Sequence, residues 1–115
     1  MKNLHFSQDQ LVQVAKLSDV DIVLIDECRG EQNKLGLGYQ LGFFRLFNQF
    51  PAQMPFEPIE DLVAYMSFQL DIALCLIEQY KNRRQTIAEH RKRIQEYLHL
   101  KPFYPEGVEL LNDFL

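Results

Sequence analysis

The chain has 115 residues, of which 47% are apolar and 12% aromatic, and its formal net charge is −4. This length suits one domain with a buried core, and the apolar content excludes a disordered chain. The first ten residues lack the apolar run of a signal peptide, and no apolar stretch approaches the ~20 residues of a membrane-spanning helix. We therefore expect a single domain, residues 1–115, that is cytoplasmic and makes no membrane contact.

Capping signals open the first two predicted helices. Ser7, followed three residues later by Gln10, forms a capping-box pattern and predicts a helix through about Lys16. Ser18 can cap a second short helix, DVDIVLIDE, which Gly30 would end.

The segment 31–50 fits two periodicities. Apolar residues alternate from position 35 to 43, which is the period of a strand, but as a helix the same segment is apolar on nearly every side. Its length and its lack of a hairpin turn favour a central buried helix, in which Gly36, Gly38 and Gly42 allow close approach of neighbours. Three glycines weaken a helix by about 1 kcal/mol each relative to alanine, so packing must compensate.

A loop follows, marked by its prolines, which are Pro51, Pro55 and Pro58. A helix is predicted over 59–70, and Asp71 can then cap a shorter helix over 73–80. This pair has the proportions of a helix-turn-helix motif, although many small helical bundles contain short helix pairs.

The last part of the chain predicts two more helices. Thr86 can cap a helix that runs to about His99, with Glu89 as its capping-box partner. Pro102 would stop this helix and Pro105 would start a final one, through 115. The sequence therefore predicts an all-α, single compact domain of about seven helices.

Side chains suited to catalysis or metal binding do not form a convincing group. Cys28 and Cys75 lack a CxxC spacing, so we expect reduced thiols, with Cys75 in the core, and no zinc site. The acidic residues of the second predicted helix scatter around its axis, which favours a solvated face; they are Asp19, Asp21, Asp26 and Glu27. We expect no catalytic residues, no metal, no cofactor and no enzymatic activity in this chain.

Positive charge is concentrated near the end of the chain. Residues 1–80 hold 5 basic and 11 acidic residues, whereas residues 81–101 hold 7 basic and 2 acidic ones. Segregation of this kind is typical of a surface that meets a polyanion, most commonly nucleic acid. The candidate DNA-binding residues are Lys81, Arg83, Arg84, Thr86, Arg91, Lys92 and Arg93.

The basic residues form two groups, according to whether an acidic residue lies at an ion-pairing spacing along the helix. Four of them have no acidic residue at an ion-pairing spacing and are expected to form one exposed positive patch: Lys81, Arg83, Arg84 and Arg91. The other two can pair with acidic residues four positions away, so an ordinary charged face explains them equally well. These pairs are Glu89 with Arg93 and Lys92 with Glu96. His90 lies towards the apolar face and is expected to be packed and hydrogen-bonded.

Several spaced motifs resemble those of a known family. They are Arg29-Gly30-x-x-Asn33-Lys34-Leu35-Gly36, Gln40-Leu41, Arg45, Gln69-Leu70, Tyr80-x-x-Arg83-x-x-Thr86-x-x-x-His90-x-x-x-Ile94 and Lys101-Pro102-Phe103. Together they resemble the N-terminal domain of the transposases of class II replicative transposons, the Tn-three family. Asn48 and His99 depart from expected glycines, and Leu37-Gly38 from a more usual Phe-Ala.

The resemblance implies a helical DNA-binding domain that recognises the terminal inverted repeats of a transposon. It implies double-stranded DNA as the partner, and self-association of a longer protein whose strand-transfer chemistry lies in a distant Asp-Asp-Glu domain. The alternative is a protein-interaction module, in which the basic helix meets an acidic partner or a sister subunit.

Overall fold

The computed structural model describes residues 7–52 and 56–100, and this part of the chain is all helical, as predicted. Its six α-helices are α1 (Gln8–Ala15), α2 (Asp19–Asp26), α3 (Glu31–Phe47), α4 (Glu60–Leu70), α5 (Ile77–Tyr80) and α6 (Arg84–Leu100), and a 3₁₀ turn, Leu74–Leu76, precedes α5. The predicted seventh helix, over 106–115, lies outside the described residues. None of the described helices combines the length and apolarity needed to cross a membrane.

The first two helices begin at the predicted capping residues. The Ser7 hydroxyl accepts a hydrogen bond from the Gln10 backbone N–H, and the Gln10 side chain accepts one from the Ser7 N–H. Ser18 and Asp21 form the same reciprocal pair at the start of α2. Each box satisfies two backbone donors that a helix start leaves unpaired. Gly30, with φ of 84°, is the N-cap of α3, and α2 has already ended at Asp26.

Helix α3 is the centre of the molecule and packs against every other described helix. All eight residues from Leu35 to Gly42 are buried, which confirms the prediction of a central buried helix. Tyr80 from α5 lies across Gly36, where a Cβ atom would fall 2.2 Å from the tyrosine ring. Met66 from α4 covers Gly42 in the same way, 2.5 Å from the position of a Cβ. These glycines therefore let α4 and α5 approach the axis of α3.

The turn after α4 differs from the prediction at Asp71. Asp71 adopts a left-handed conformation, with φ of 58°, and is the C-cap of α4 instead of the N-cap of the next helix. The chain then forms the 3₁₀ turn and only one turn of α-helix, α5. The two helices predicted over 59–70 and 73–80 correspond to α4 and to this short second element. Its buried side chains, Ile77 and Tyr80, face α3.

Cys75 is exposed, so the prediction that it lies in the core is wrong. The 3₁₀ turn explains the difference, because Ile72 and Ile77 on either side of it are buried while Leu74 and Cys75 face outward. The sequence predicts one α-helix over 73–80, whereas the tighter 3₁₀ turn over Leu74–Leu76 changes which residues point inward.

Asp21 is buried, at 1% exposure, and is not part of a solvated acidic face as predicted. Its carboxylate accepts two hydrogen bonds from the Arg45 guanidinium, at 2.7 and 3.0 Å, and one from the Tyr97 hydroxyl at 2.6 Å. The Ser18 backbone N–H supplies a further bond at 2.8 Å. One carboxylate thus joins α2, α3 and α6.

Burial acts to raise the pKa of the Asp21 carboxyl, but the hydrogen bonds from Arg45, Tyr97 and Ser18 outweigh it. The pKa is therefore lower in the folded protein than its ordinary value of 3.8. Above that value the contribution to stability is fully present, and it is lost as the pH falls through the lower pKa of the folded state.

Replacing Asp21 with Asn should lower the free energy of unfolding at neutral pH by about 3 kcal/mol, because the half-buried Arg45 guanidinium would lose its counter-charge. Urea denaturation of the wild type and of Asp21→Asn measures the effect. Asp19→Asn is the matched control, since Asp19 is exposed in the same helical turn and should cost less than about 1 kcal/mol. Equal losses in the two variants would contradict the structural role of Asp21.

Gly36→Ala should destabilise the protein by about 1–3 kcal/mol, because the new methyl group collides with the buried Tyr80 ring. The gain of about 1 kcal/mol in helix propensity is too small to offset this collision. Gly38→Ala is the control: its Cβ would meet the end of the half-buried Leu70 side chain at 3.2 Å, which can move aside. A Gly36→Ala protein as stable as Gly38→Ala in urea denaturation would refute this packing.

Candidate nucleic-acid interface

Helix α6 carries most of the candidate DNA-binding residues, and it begins earlier than predicted. Its first residue is Arg84, and the Arg83 carbonyl accepts a hydrogen bond from the Ile87 N–H at 2.9 Å. Thr86, predicted to cap this helix, lies instead within its first turn and is half-buried. The backbone just before α6 already forms a turn, because the Arg83 N–H donates a hydrogen bond to the Tyr80 carbonyl at 2.9 Å. The helix can therefore start without a threonine cap.

Arg83 and Arg84 are exposed, and neither forms an ion pair with any residue that the structure describes. Lys81 is half-buried and pairs with Glu78 at 3.2 Å. The prediction that Lys81 lacks an acidic partner is therefore wrong, since Glu78 precedes it by three residues, a spacing that brings side chains together on a helix.

Arg91 is half-buried and lies over an aromatic ring. Its guanidinium carbon is 5.0 Å from the centre of the Phe50 ring, a cation–π geometry. Phe50 in turn packs against Phe44, with ring centres 4.8 Å apart. This contact holds the guanidinium of Arg91 against the ring, and the charge has no carboxylate partner among the described residues.

The two ion pairs that the sequence allows along α6, Glu89 with Arg93 and Lys92 with Glu96, are not formed. Arg93 pairs with Glu27 at the end of α2 instead of with Glu89. Lys92 is exposed and has no ion pair with a described residue, so Glu96 does not neutralise it. The structure thus separates two neighbours that the sequence treats alike, because Arg93 holds α6 to α2 while Lys92 is not ion-paired with a described residue.

Arg29 is an exposed cation beside α6 that the charge pattern alone did not single out. Its neighbours in the loop between α2 and α3 contact α6: Glu27 pairs with Arg93, and the Cys28 sulfur lies 3.8 Å from Nε2 of His90. The one sequence feature that drew attention to Arg29 is its position at the start of a family motif. Its place beside α6 depends on the fold, which brings this loop to that helix.

A buried polar network supports the first half of α6. The Gln40 side-chain amide donates to the Tyr80 hydroxyl at 2.7 Å and to the Ile87 carbonyl at 3.2 Å. The Tyr80 hydroxyl lies 2.8 Å from Nδ1 of His90, and the two rings are stacked. His90 is 6% exposed, which confirms the prediction of a packed, hydrogen-bonded histidine.

Burial, with the nearby positive charge of Arg93, lowers the pKa of His90 from 6.5 to about 4, so the imidazole is neutral at physiological pH. Burial also raises the pKa of the Cys28 thiol, although Arg93 and Lys34 oppose this effect. Neither group is poised to act as a base or a nucleophile near neutral pH. Within residues 7–52 and 56–100, no three His, Cys, Asp or Glu side chains are grouped so that they could hold a metal ion.

Other residues of the family motifs also form hydrogen bonds inside the domain. The Gln69 side chain accepts from the Leu17 N–H at 2.7 Å and donates to the Ala15 carbonyl at 3.2 Å, which ties α4 to the end of α1. Asn33 donates to the Arg29 carbonyl at 2.9 Å. Most of the family motifs therefore describe how the domain holds together.

These features define an all-α domain with a central glycine-containing helix and a basic helix anchored by buried polar contacts. The chain belongs to the family described as "Domain of unknown function (DUF4158)", whose pattern matches residues 2–115. No solved structure matches it.

Three transposases are similar to this chain, which confirms the resemblance to an N-terminal transposase domain. It is 29% identical over 117 residues to the transposase for transposon Tn21 of Escherichia coli, covering 93% of this chain and 11% of that protein. Over 113 residues it is 29% identical to the transposase for transposon Tn3926 of Escherichia coli, with the same coverage. Over 97 residues it is 30% identical to the transposase for transposon Tn501 of Pseudomonas aeruginosa, covering 84% of this chain and 10% of that protein. The chain thus spans about a tenth of the length of these relatives.

The stability of the domain should fall as the pH drops from 6.5 to about 4, because in this range the unfolded chain binds a proton at His90 that the folded protein excludes. Chemical denaturation at a series of pH values, for the wild type and for His90→Gln, isolates this effect from that of the carboxylates. His90→Gln should be less stable at pH 7 but should lose less stability on acidification. Parallel curves for the two proteins would show that His90 is not held neutral.

Proposed function

We propose that this domain binds duplex DNA at the terminal inverted repeats of a transposon, as the N-terminal module of a transposase. Residues 1–115 would act as one DNA-binding module. The similarity to three transposases supports a role in transposition. The preference for DNA rests on the charges of α6.

The observation that carries the proposal is the pair of exposed arginines, Arg83 and Arg84, at the start of α6. Neither charge is neutralised by a described residue, although the whole chain is acidic. The first turn of a helix also presents backbone N–H groups without intrahelical acceptors, and the helix dipole favours an anion there. Two guanidinium groups beside such a turn favour a phosphate.

The remaining candidate residues fall into two groups. Lys92 and Arg91 keep charges that can reach DNA, because they are not in ion pairs with described residues. Lys81 and Arg93 are held by Glu78 and Glu27, so they should contribute less to binding. Half-buried Thr86 should contribute less to DNA contact than the exposed arginines.

Strand transfer would belong to parts of a transposase beyond this chain. The chain spans about a tenth of the length of its relatives, and we propose no catalytic step for it. Its contribution would be to select and hold the DNA end.

Replacing Arg83 and Arg84 together with Ala should flatten the slope of log K against log salt by about two units, since each lost phosphate contact releases about one counterion fewer. Fluorescence anisotropy across a salt series, with one labelled duplex, measures the slope. Lys16→Ala is the control, because it removes an exposed cation at the end of α1 and should leave the slope unchanged. An unchanged slope in the double variant would contradict phosphate contacts by these arginines.

A protein-interaction module is the second candidate, favoured by large apolar side chains on the surface. Phe68 on α4 is 79% exposed, and Leu74 in the following 3₁₀ turn is 47% exposed. A contiguous exposed apolar patch is typical of contact surfaces, and α4 and the 3₁₀ turn, which carry these two residues, are in contact. Absence of DNA binding even at low salt, together with a protein partner lost in Phe68→Ser, would favour this function over DNA binding.

A further inference from the structure

Helix α6 presents a strip of exposed polar and small side chains on the side that faces away from the core. Ile87, His90 and Ile94 form the buried side of the helix. The strip follows the opposite side at spacings of three or four residues, which place side chains in a row along a helix. Its members are Gln85, Ala88, Lys92 and Gln95.

None of these four side chains hydrogen-bonds or forms an ion pair with a described residue, so no internal contact explains their identity. The residue types match the chemistry of base edges. Gln pairs with the N6 and N7 atoms of adenine, Lys with the O6 and N7 atoms of guanine, and Ala contacts the thymine methyl group. The eleven residues from Gln85 to Gln95 span ten helical rises, or about 15 Å, which is roughly four base-pair steps.

The edges of the strip carry opposite charges. Arg84 and Arg91, seven residues apart, lie along one edge, and Glu89 and Glu96 lie along the other, because seven residues make about two helical turns. A helix with one basic edge meets the phosphates of one strand preferentially, which fixes its orientation in a groove. The strip itself carries one charge, that of Lys92, and its two glutamines suit hydrogen bonding to bases more than attraction to phosphates.

Helix α5 does not offer a comparable surface. It has only four residues, its Ile77 and Tyr80 are buried, and its exposed side carries Glu78. The second helix of the predicted helix-turn-helix pair is therefore unsuited to reading bases.

We infer that α6 is the recognition helix of this domain, and that Gln85, Ala88, Lys92 and Gln95 read base edges in the major groove of duplex DNA. This inference rests on the proposed DNA-binding function and specifies which residues determine its sequence preference. Arg84 and Arg91 hold the phosphates beside the groove.

The test begins with the 115-residue protein and a randomised 20-base-pair duplex pool, from which bound sequences are selected and counted. Gln85→Ala and Gln95→Ala are then selected in the same way. These variants remove hydrogen-bonding groups without changing charge, and Ala favours the helix, so folding should be preserved. Gln13→Ala, at an exposed site on α1, is the matched control. Thermal melting confirms that all four proteins are folded.

Each α6 variant should lose its preference at one or two base-pair positions, by about tenfold, while affinity for a scrambled duplex stays within about twofold. Gln13→Ala should keep the full wild-type preference. If both α6 variants retain that preference, α6 does not read bases, although the domain still binds DNA as proposed. If the wild type binds no duplex, or binds every duplex equally, sequence-specific binding and the recognition helix both fail.

Discussion

The buried carboxylate of Asp21 is the contact on which the arrangement of the domain depends. It receives the Arg45 guanidinium from α3 and the Tyr97 hydroxyl from α6, so three helices meet at one negative charge. A buried charge is costly unless it is paired, and its hydrogen-bonding geometry accepts few alternatives. Asp21 therefore specifies how α6 lies against the body. The direction in which Arg83 and Arg84 face solvent follows from that orientation.

The motifs that resemble transposases are mainly structural. Gln40, Arg45, Gln69 and His90 all make hydrogen bonds inside the domain, and Gly36 provides room for Tyr80. A resemblance built on such residues indicates a shared fold more strongly than a shared DNA sequence. The outward side of α6 is under none of these packing constraints. A family of this kind can keep one scaffold while its members differ on that outward side.

Local features were predictable from the sequence, and contacts between distant residues were not. The Ser7–Gln10 capping box, the Ser18 cap and the buried helix α3 depend on side chains a few residues apart or on periodicity, and they were predicted correctly. Asp21, in contrast, looked like a surface residue because its partners Arg45 and Tyr97 lie 24 and 76 residues away. Thr86 had a local capping pattern, but the turn that precedes α6 made the cap unnecessary.

The network beneath α6 also fixes where protons lie. The amide nitrogen of Gln40 faces both the Ile87 carbonyl and the Tyr80 hydroxyl, so it must donate to each. The tyrosine proton is then directed to Nδ1 of His90, which places the imidazole proton on Nε2, towards the sulfur of Cys28. His90 therefore has a single tautomer, which is set by Gln40 on α3 through the Tyr80 hydroxyl. Adding a second proton would require the tyrosine hydroxyl to reverse, and its other neighbour, the Gln40 nitrogen, cannot accept the hydrogen.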